Sequence, residues 1–445
     1  MTAPRTIRRR TFLAGLGAAG AAALTTSACG GDDAGNETTV DPADASGEID
    51  VWVLHEDALN PVSQESLDRF FGAEDSNVQA ELITEPNDSY RDVLQTIIDS
   101  NQRPDVFFNW GGGSIRSYAR AGLLEDLTPY LEADPEFKDS FLPAVLDAGQ
   151  IDGAYYGIPM RTVQPKLMFY NTAVFDDAGI TVPTNWQQFL DAIDTFSSAG
   201  ITPVALAGAD AWTLLMWVEY LTDRIGGEQV FLDIAEGTGE GWRHPAITQM
   251  VDTIRDLVDR GAFGTAFASV QYDGGPEPML EDGLAAMHLM GAWAYTNHLN
   301  DDPEFTRNSL AWGQFPAIEG GEGHPDNIAG NPTNYFSVHA DSPLKEVAIE
   351  YLKQEMASDA YVEDLLNIGD IPAVADIESL IEGHEHEDYF SFIYNMVANA
   401  PSFQLSWDQA IERPLSQPML EAIENVFLGN LDAEGFIKAN EDAAG

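Results

Sequence analysis

Apolar positions along the chain fall into short runs that alternate with longer segments of helical spacing. Residues 49–54 (IDVWVL) form a short β-like run that ends at His55-Glu56-Asp57. Residues 61–72 (PVSQESLDRFFG) have helical spacing, with a proline at the start and a glycine at the end. A strand over 78–84, a helix over 88–100 and an apolar strand over 104–108 follow, and the last runs into Asn109-Trp110 and a triple glycine. Strands alternating with helices predict an α/β architecture with parallel sheet, in which ligands lie beyond the carboxyl ends of the strands. Asp57 and Asn109-Trp110 stand at such ends.

Asp152-Gly153 between apolar residues predicts a hairpin turn. A strand over 166–170 precedes an amphipathic helix over 183–199, with Thr184 as the expected N-cap. After a strand at 203–208, residues 213–225 are apolar nearly all round and predict a buried helix. Another helix covers roughly 246–260, and a strand at 285–290 ends just before Trp293. Helical spacing dominates after Ser342, and no internal repeat is visible.

The first thirty residues have a different character. Arg8-Arg9-Arg10 precede Thr-Phe-Leu, a mild apolar stretch and small residues before Cys29, the pattern of an export signal over 1–28. The paired arginines resemble a twin-arginine address, and the stretch is too short and too weakly apolar for a good membrane span. Cys29, the single cysteine, has no partner for an internal disulfide and resembles a lipidation site, although Thr26 stands where leucine is usual. Residues 29–48, acidic and rich in Gly and Ala, read as a flexible tether.

Charge changes the picture further. The whole chain carries −52, and residues 1–28 hold Arg5, Arg8, Arg9 and Arg10 but no acid, so the mature part is more negative still. This excludes nucleic acid and anionic membrane surfaces as partners. A saline habitat and ordinary exported acidity both account for it; melting at low and molar salt separates them. About 400 residues beyond the signal exceed one typical core and imply two lobes.

In its order of motifs the chain resembles the extracellular solute-binding proteins of family 1, which serve sugar ABC importers. The motifs are Tyr156-Gly157-Ile158-Pro159, Tyr170-Asn171, Pro-Thr-Asn-Trp at 183–186, Gly291-Ala292-Trp293, Asn-Pro-Thr-Asn-Tyr at 331–335, Ser342-Pro343 and 403–408 (FQLSWD). Within the family it is most similar to actinobacterial binders of short oligosaccharides of the xylobiose or raffinose kind. The resemblance implies a two-lobe periplasmic-binding-protein-like fold with a central cleft and three crossovers, near 158–161, 331–336 and 371–374. Lobe one is then 49–159 plus 335–372, and lobe two 160–334 plus 373–445. It also implies a monomeric, lipid-anchored capture protein that hands an oligosaccharide to a membrane permease, without catalysis.

A sugar presents apolar C–H faces and a rim of hydroxyls. Its site needs flat aromatic plates and fixed polar side chains. Trp293 and Trp407-Asp408 lead the candidates, followed by Trp212 at a helix start. Trp217, five residues on, points about 140° away and fits the core as well as the cleft. Asn109, Trp110, Asp57, Arg161 and Asn334 complete the set, with Asn331, Met160, Gln164 and Tyr335 behind them. Arg161 has two roles open, pairing with ligand or bridging the lobes to an acid. His384-Glu385-His386-Glu387-Asp388 looks like a metal cluster but reads as a solvated acidic turn, and no cofactor or metal is expected. Two other ligand chemistries stay open: a secreted glycoside hydrolase, needing two spaced carboxylates, and the same fold binding glycerol phosphate.

Overall fold

A computed structural model describes residues 45–72, 77–161, 163–375 and 377–445. The signal, Cys29 and most of the tether lie outside the described residues. The strands in chain order are β1 (Gly47–Leu54), β2 (Val78–Glu85), β3 (Val106–Asn109), β4 (Gln150–Ile151), β5 (Ala154–Tyr155) and β6 (Ile158–Pro159). They continue with β7 (Gln164–Asn171), β8 (Thr202–Ala205), β9 (Ala285–Gly291), β10 (Leu310–Gly313), β11 (Ile328–Asn331), β12 (Tyr335–Val338) and β13 (Phe403–Leu405).

Two sheets result. The first has the order β2-β1-β3-β12-β6, with β1 parallel to both β2 and β3 and β12 antiparallel to its neighbours. The second has the order β13-β11-β7-β9-β8. There β7 is long enough for β11 to pair with its first residues and β10 with its last. Burial follows position. Edge strand β2 is mostly part-exposed, while β7 and β9 are buried at every residue. A strand covered on both faces loses its alternation and reads as a continuous apolar run.

Helices cover both sheets. The helix Ala211–Gly226 is buried without interruption from Thr213 to Arg224, as its all-round apolar pattern predicts. The helix expected from 183 begins at Trp186, and its cap is Asn185 rather than Thr184. The Asn185 carboxamide accepts from Gln188 N–H at 3.0 Å, while Thr184 donates through both N–H and hydroxyl to Gln188 Oε1 at 2.9 Å. The hairpin at Asp152-Gly153 forms, with positive φ at both residues.

The chain passes from the first sheet to the second between Pro159 and Gln164, and back between Asn331 and Tyr335. It then lays helices Lys345–Glu355 and Asp359–Asn367 against the first lobe, where Arg69 binds Glu355 and Asp364. It reaches the second sheet again at β13. No helix among the described residues is long and apolar enough to cross a membrane.

Candidate functional site

The carboxyl ends of strands from both sheets open onto one cavity of about 580 Å³, within the range usual for small-molecule sites. On the first-lobe side β1 delivers His55, Glu56 and Asp57, and β3 delivers Trp110. The helix Asn87–Ile97 adds Asp88 and Arg91, three apart and so on one face.

The second lobe supplies an aromatic corner. Trp212 opens the buried helix, Tyr272 comes from a loop, and Trp293 starts the helix Trp293–Asp301 directly after β9. Trp212 meets Tyr272 edge-on at 4.8 Å and Trp293 at 6.3 Å. Trp293 Nε1–H donates to the Tyr272 hydroxyl at 2.7 Å, and Asn297 Nδ2–H donates to the same oxygen at 3.2 Å. Burial holds the Tyr272 phenol well above its ordinary pKa, so it stays protonated. Gly291 explains why the chain runs onto an indole here. A Cβ at Gly291 would lie 1.9 Å from the Trp293 ring, so only glycine lets the indole fold back over the strand end.

Cations line the cavity, but each is already paired. Arg161, 3% exposed, donates through Nη1 to Glu56 at 2.5 Å and through Nη2 to Asp370 at 2.9 Å. It therefore bridges first-lobe β1 to the Asp370 segment, which Thr296 of the second lobe also bonds at 2.9 Å. Lys166 pairs with the buried Glu219, and Ser406 Oγ lies 2.8 Å from its ammonium. Arg91 stacks 4.3 Å above Trp110 and donates to Asp408 at 3.1 Å, joining the two walls. Arg413 pairs with Asp92, and His55 lies 3.5 Å from Asp57. In contrast, no ion pair is seen at Asp88, Asp210, Asp273 or Glu277 among the described residues. Burial, then the Asp88 charge, raises the Asp273 pKa; burial leads for Asp210 too, opposed by the Tyr272 N–H and reinforced by Asp88. Among the described residues the cavity is thus acidic, with no cation left unpaired.

Trp293, Trp212, Trp110, Asp57, Asp408, Arg161 and Asn334 line this cavity, as do Asn331 and Gln164. Others do not. Trp217 is fully buried, packed on Phe189, Phe263 and Phe315, because it sits mid-helix on the far side from Trp212. Trp407 is likewise core: it stacks on Phe231 at 4.8 Å and donates to Gln404. Asn109 is turned inward, donating to Ser337 Oγ at 2.8 Å and accepting from Gly111 N–H at 2.9 Å, so it shapes the loop instead. Tyr335 donates to the Val145 carbonyl and Met160 is buried beneath the crossover, both away from the cavity. The acidic turn at 384–388 is not wholly solvated, since His386 is 5% exposed and bonds the Tyr295 hydroxyl at 3.0 Å.

Sequence reasoning missed Tyr272, Arg91, Asn297 and Gln409. Tyr272 did carry a signal, an aromatic residue in a glycine-rich turn (QYDGG). Arg91 had only its spacing from Asp88.

Sequence and fold agree on the class. The chain belongs to the bacterial extracellular solute-binding protein family, whose pattern matches residues 36–361. It is 24% identical over 316 residues to the xylose/arabinose-binding protein XacG of Haloferax volcanii, a match covering 70% of this chain and 64% of that protein. It thus spans less than two thirds of that relative's length. A solved structure from work on xylan utilization by the thermophilic bacterium Caldanaerobius polysaccharolyticus superposes with TM-score 0.81 at 27% identity, over 89% of this chain and all of that one. RafE in complex with raffinose superposes with TM-score 0.67 at 17% identity, over 89% of this chain and all of that one, a likeness of fold. XacG and RafE are both binding proteins.

Proposed function

We propose that the chain is the extracellular capture component of an ABC importer and takes a neutral di- or oligosaccharide into the cavity between its lobes. One observation carries this: an aromatic corner of Trp212, Tyr272 and Trp293 beside a cavity whose cations are all paired. Flat rings suit the C–H faces of a sugar, and surplus carboxylates suit its hydroxyls. An anion such as glycerol phosphate would meet unpaired acids and would have to break an existing ion pair to gain a cation. A relative that binds xylose or arabinose and a structural neighbour in complex with raffinose point the same way.

The lobes run over 49–159 plus 335–372 and 160–334 plus 373–445. Ligand contacts made only when the lobes approach drive closure about the crossovers. The closed monomer is what a permease reads, while an exported, twin-arginine-type precursor lipidated at Cys29 holds the protein at the membrane.

Calorimetric titration of the soluble 31–445 fragment against xylobiose, raffinose, melibiose, maltose, cellobiose and glycerol phosphate tests this. Tight binding of one sugar without product formation is expected. Binding of glycerol phosphate alone, or cleaved sugar, would overturn it.

A further inference from the structure

The passages between the two sheets are tied together at one buried carboxylate. The helix Asp359–Asn367 ends in a left-handed turn at Gly369 (φ 85°). Gly369 N–H donates to the Leu366 carbonyl at 3.0 Å and Asp370 N–H to that of Leu365 at 2.9 Å, the two bonds that close a Schellman cap. The helix end therefore sets the place of Asp370. Its side chain is 1% exposed, and neither Asp370 nor Thr296 lines the cavity among the described residues.

Both oxygens of this carboxylate are in use. Oδ2 accepts from Arg161 Nε at 3.1 Å and from Nη2 at 2.9 Å, and Oδ1 accepts from the Thr296 hydroxyl at 2.9 Å. Arg161 lies on the passage from the first sheet to the second, and its Nη1 arm reaches Glu56 just beyond β1. The Arg161 carbonyl accepts from the Thr333 hydroxyl, on the return passage, at 2.7 Å. The Met160 carbonyl beside it accepts from Tyr361 of the helix Asp359–Asn367, also at 2.7 Å. That helix belongs to the first-lobe side, where Arg69 binds Asp364. Thr296 stands three residues after Trp293 in one helix, so its bond to Asp370 holds the element that presents the indole.

We propose that Asp370 is a positioning residue for ligand capture: through Arg161 and Thr296 it fixes the angle at which the lobes meet, with Glu56 on one wall and the Trp293 helix on the other. Two passages between the sheets and a helix from each lobe converge here, so rotation of one lobe against the other strains these bonds. A buried guanidinium that loses a carboxylate partner keeps an uncompensated charge, and so does a buried carboxylate that loses its donors. The group therefore holds as a unit. None of these contacts needs a particular ligand. The inference stands apart from the sugar reading and uses sugar only as one probe.

The test compares Asp370→Asn, Thr296→Val and Thr296→Ser with the unaltered protein. Solution scattering without ligand is expected to give a larger radius of gyration for Asp370→Asn and Thr296→Val, as the lobes sample wider angles. Thr296→Ser, which keeps a hydroxyl, should recover the unaltered value. Affinity is titrated with whichever of xylobiose, raffinose, melibiose, maltose or cellobiose the unaltered protein binds. It should fall about 10-fold in Asp370→Asn and about 3-fold in Thr296→Val, and recover in Thr296→Ser. If Asp370→Asn and Thr296→Val lower only the melting temperature, with radius of gyration and affinity unchanged, these contacts serve stability alone and the inference is overturned. Should Asp370→Asn fail to fold, Thr296→Val against Thr296→Ser decides by the same two readouts. If the unaltered protein binds none of the five sugars, the sugar reading fails, while the ligand-free scattering still decides this inference.

Discussion

The two walls of the cleft are built differently. The second-lobe wall is a packed aromatic corner whose indole and phenol are already hydrogen-bonded to each other. The first-lobe wall is mostly charged and partly solvated, with Asp57 80% exposed and Arg91 stretched across to Asp408. Preorganised surface costs little to use, whereas solvated charges must be ordered and stripped of water. If the chain takes sugar as proposed, the second lobe is expected to supply most of the affinity and the first lobe to report closure.

Breaking the aromatic corner has the largest expected effect. Trp293→Ala removes one aromatic plate and one of the two partners of the Tyr272 hydroxyl, and sugar affinity should fall about 100-fold by calorimetry. Next comes the point where the walls touch. A Cβ on Gly113, at the start of the first-lobe helix Gly113–Arg120, would stand 2.7 Å from the Gln409 carbonyl and 3.2 Å from those of Ala410 and Ile411. Backbone cannot yield as a side chain end can, so Gly113→Ala holds the lobes apart. Affinity should drop about 10-fold, with a larger radius of gyration by solution scattering in the presence of sugar.

A smaller effect sharpens the contrast through pH. Asp88 on the first wall raises the pKa of Asp210 and of Asp273 on the second, after burial, while His55 opposes it at Asp273. Groups whose pKa is raised when the lobes meet take up protons on closing. Closure is therefore favoured as pH falls through the upper carboxylate range, and the repulsion is complete above it. Sugar affinity should rise as pH falls toward the raised pKa values of these carboxylates, and Asp88→Asn should flatten that slope. The smallest change is expected at Asp57, whose exposed carboxylate costs most to order. Asp57→Asn should shift affinity less than about two-fold in the same titration.

Local pattern revealed the fold well because burial leaves a periodic trace. Strands β1, β3, β7 and β9 are all visible as apolar runs, and Gly291, which ends β9, stands just before the cavity-lining Trp293. Side-chain direction was less visible. Trp407 and Trp293 look alike in sequence, each next to a strand end. One turns inward because Phe231 and Gln404 offer it a partner in the core. Arg91, Tyr272 and Gln409 reach the cavity only because distant segments meet there, which spacing along the chain does not encode. The capping slip at Thr184 is a one-residue case of the same problem, since Thr and Asn both suit that turn and only Gln188 decides between them.

The most direct measurement is a crystal structure of the protein with the sugar that titration identifies. The account predicts a ring face lying about 4 Å from the Trp293 indole. A sugar seated on Trp110 and Asp57 alone, leaving the second-lobe corner untouched, would contradict it.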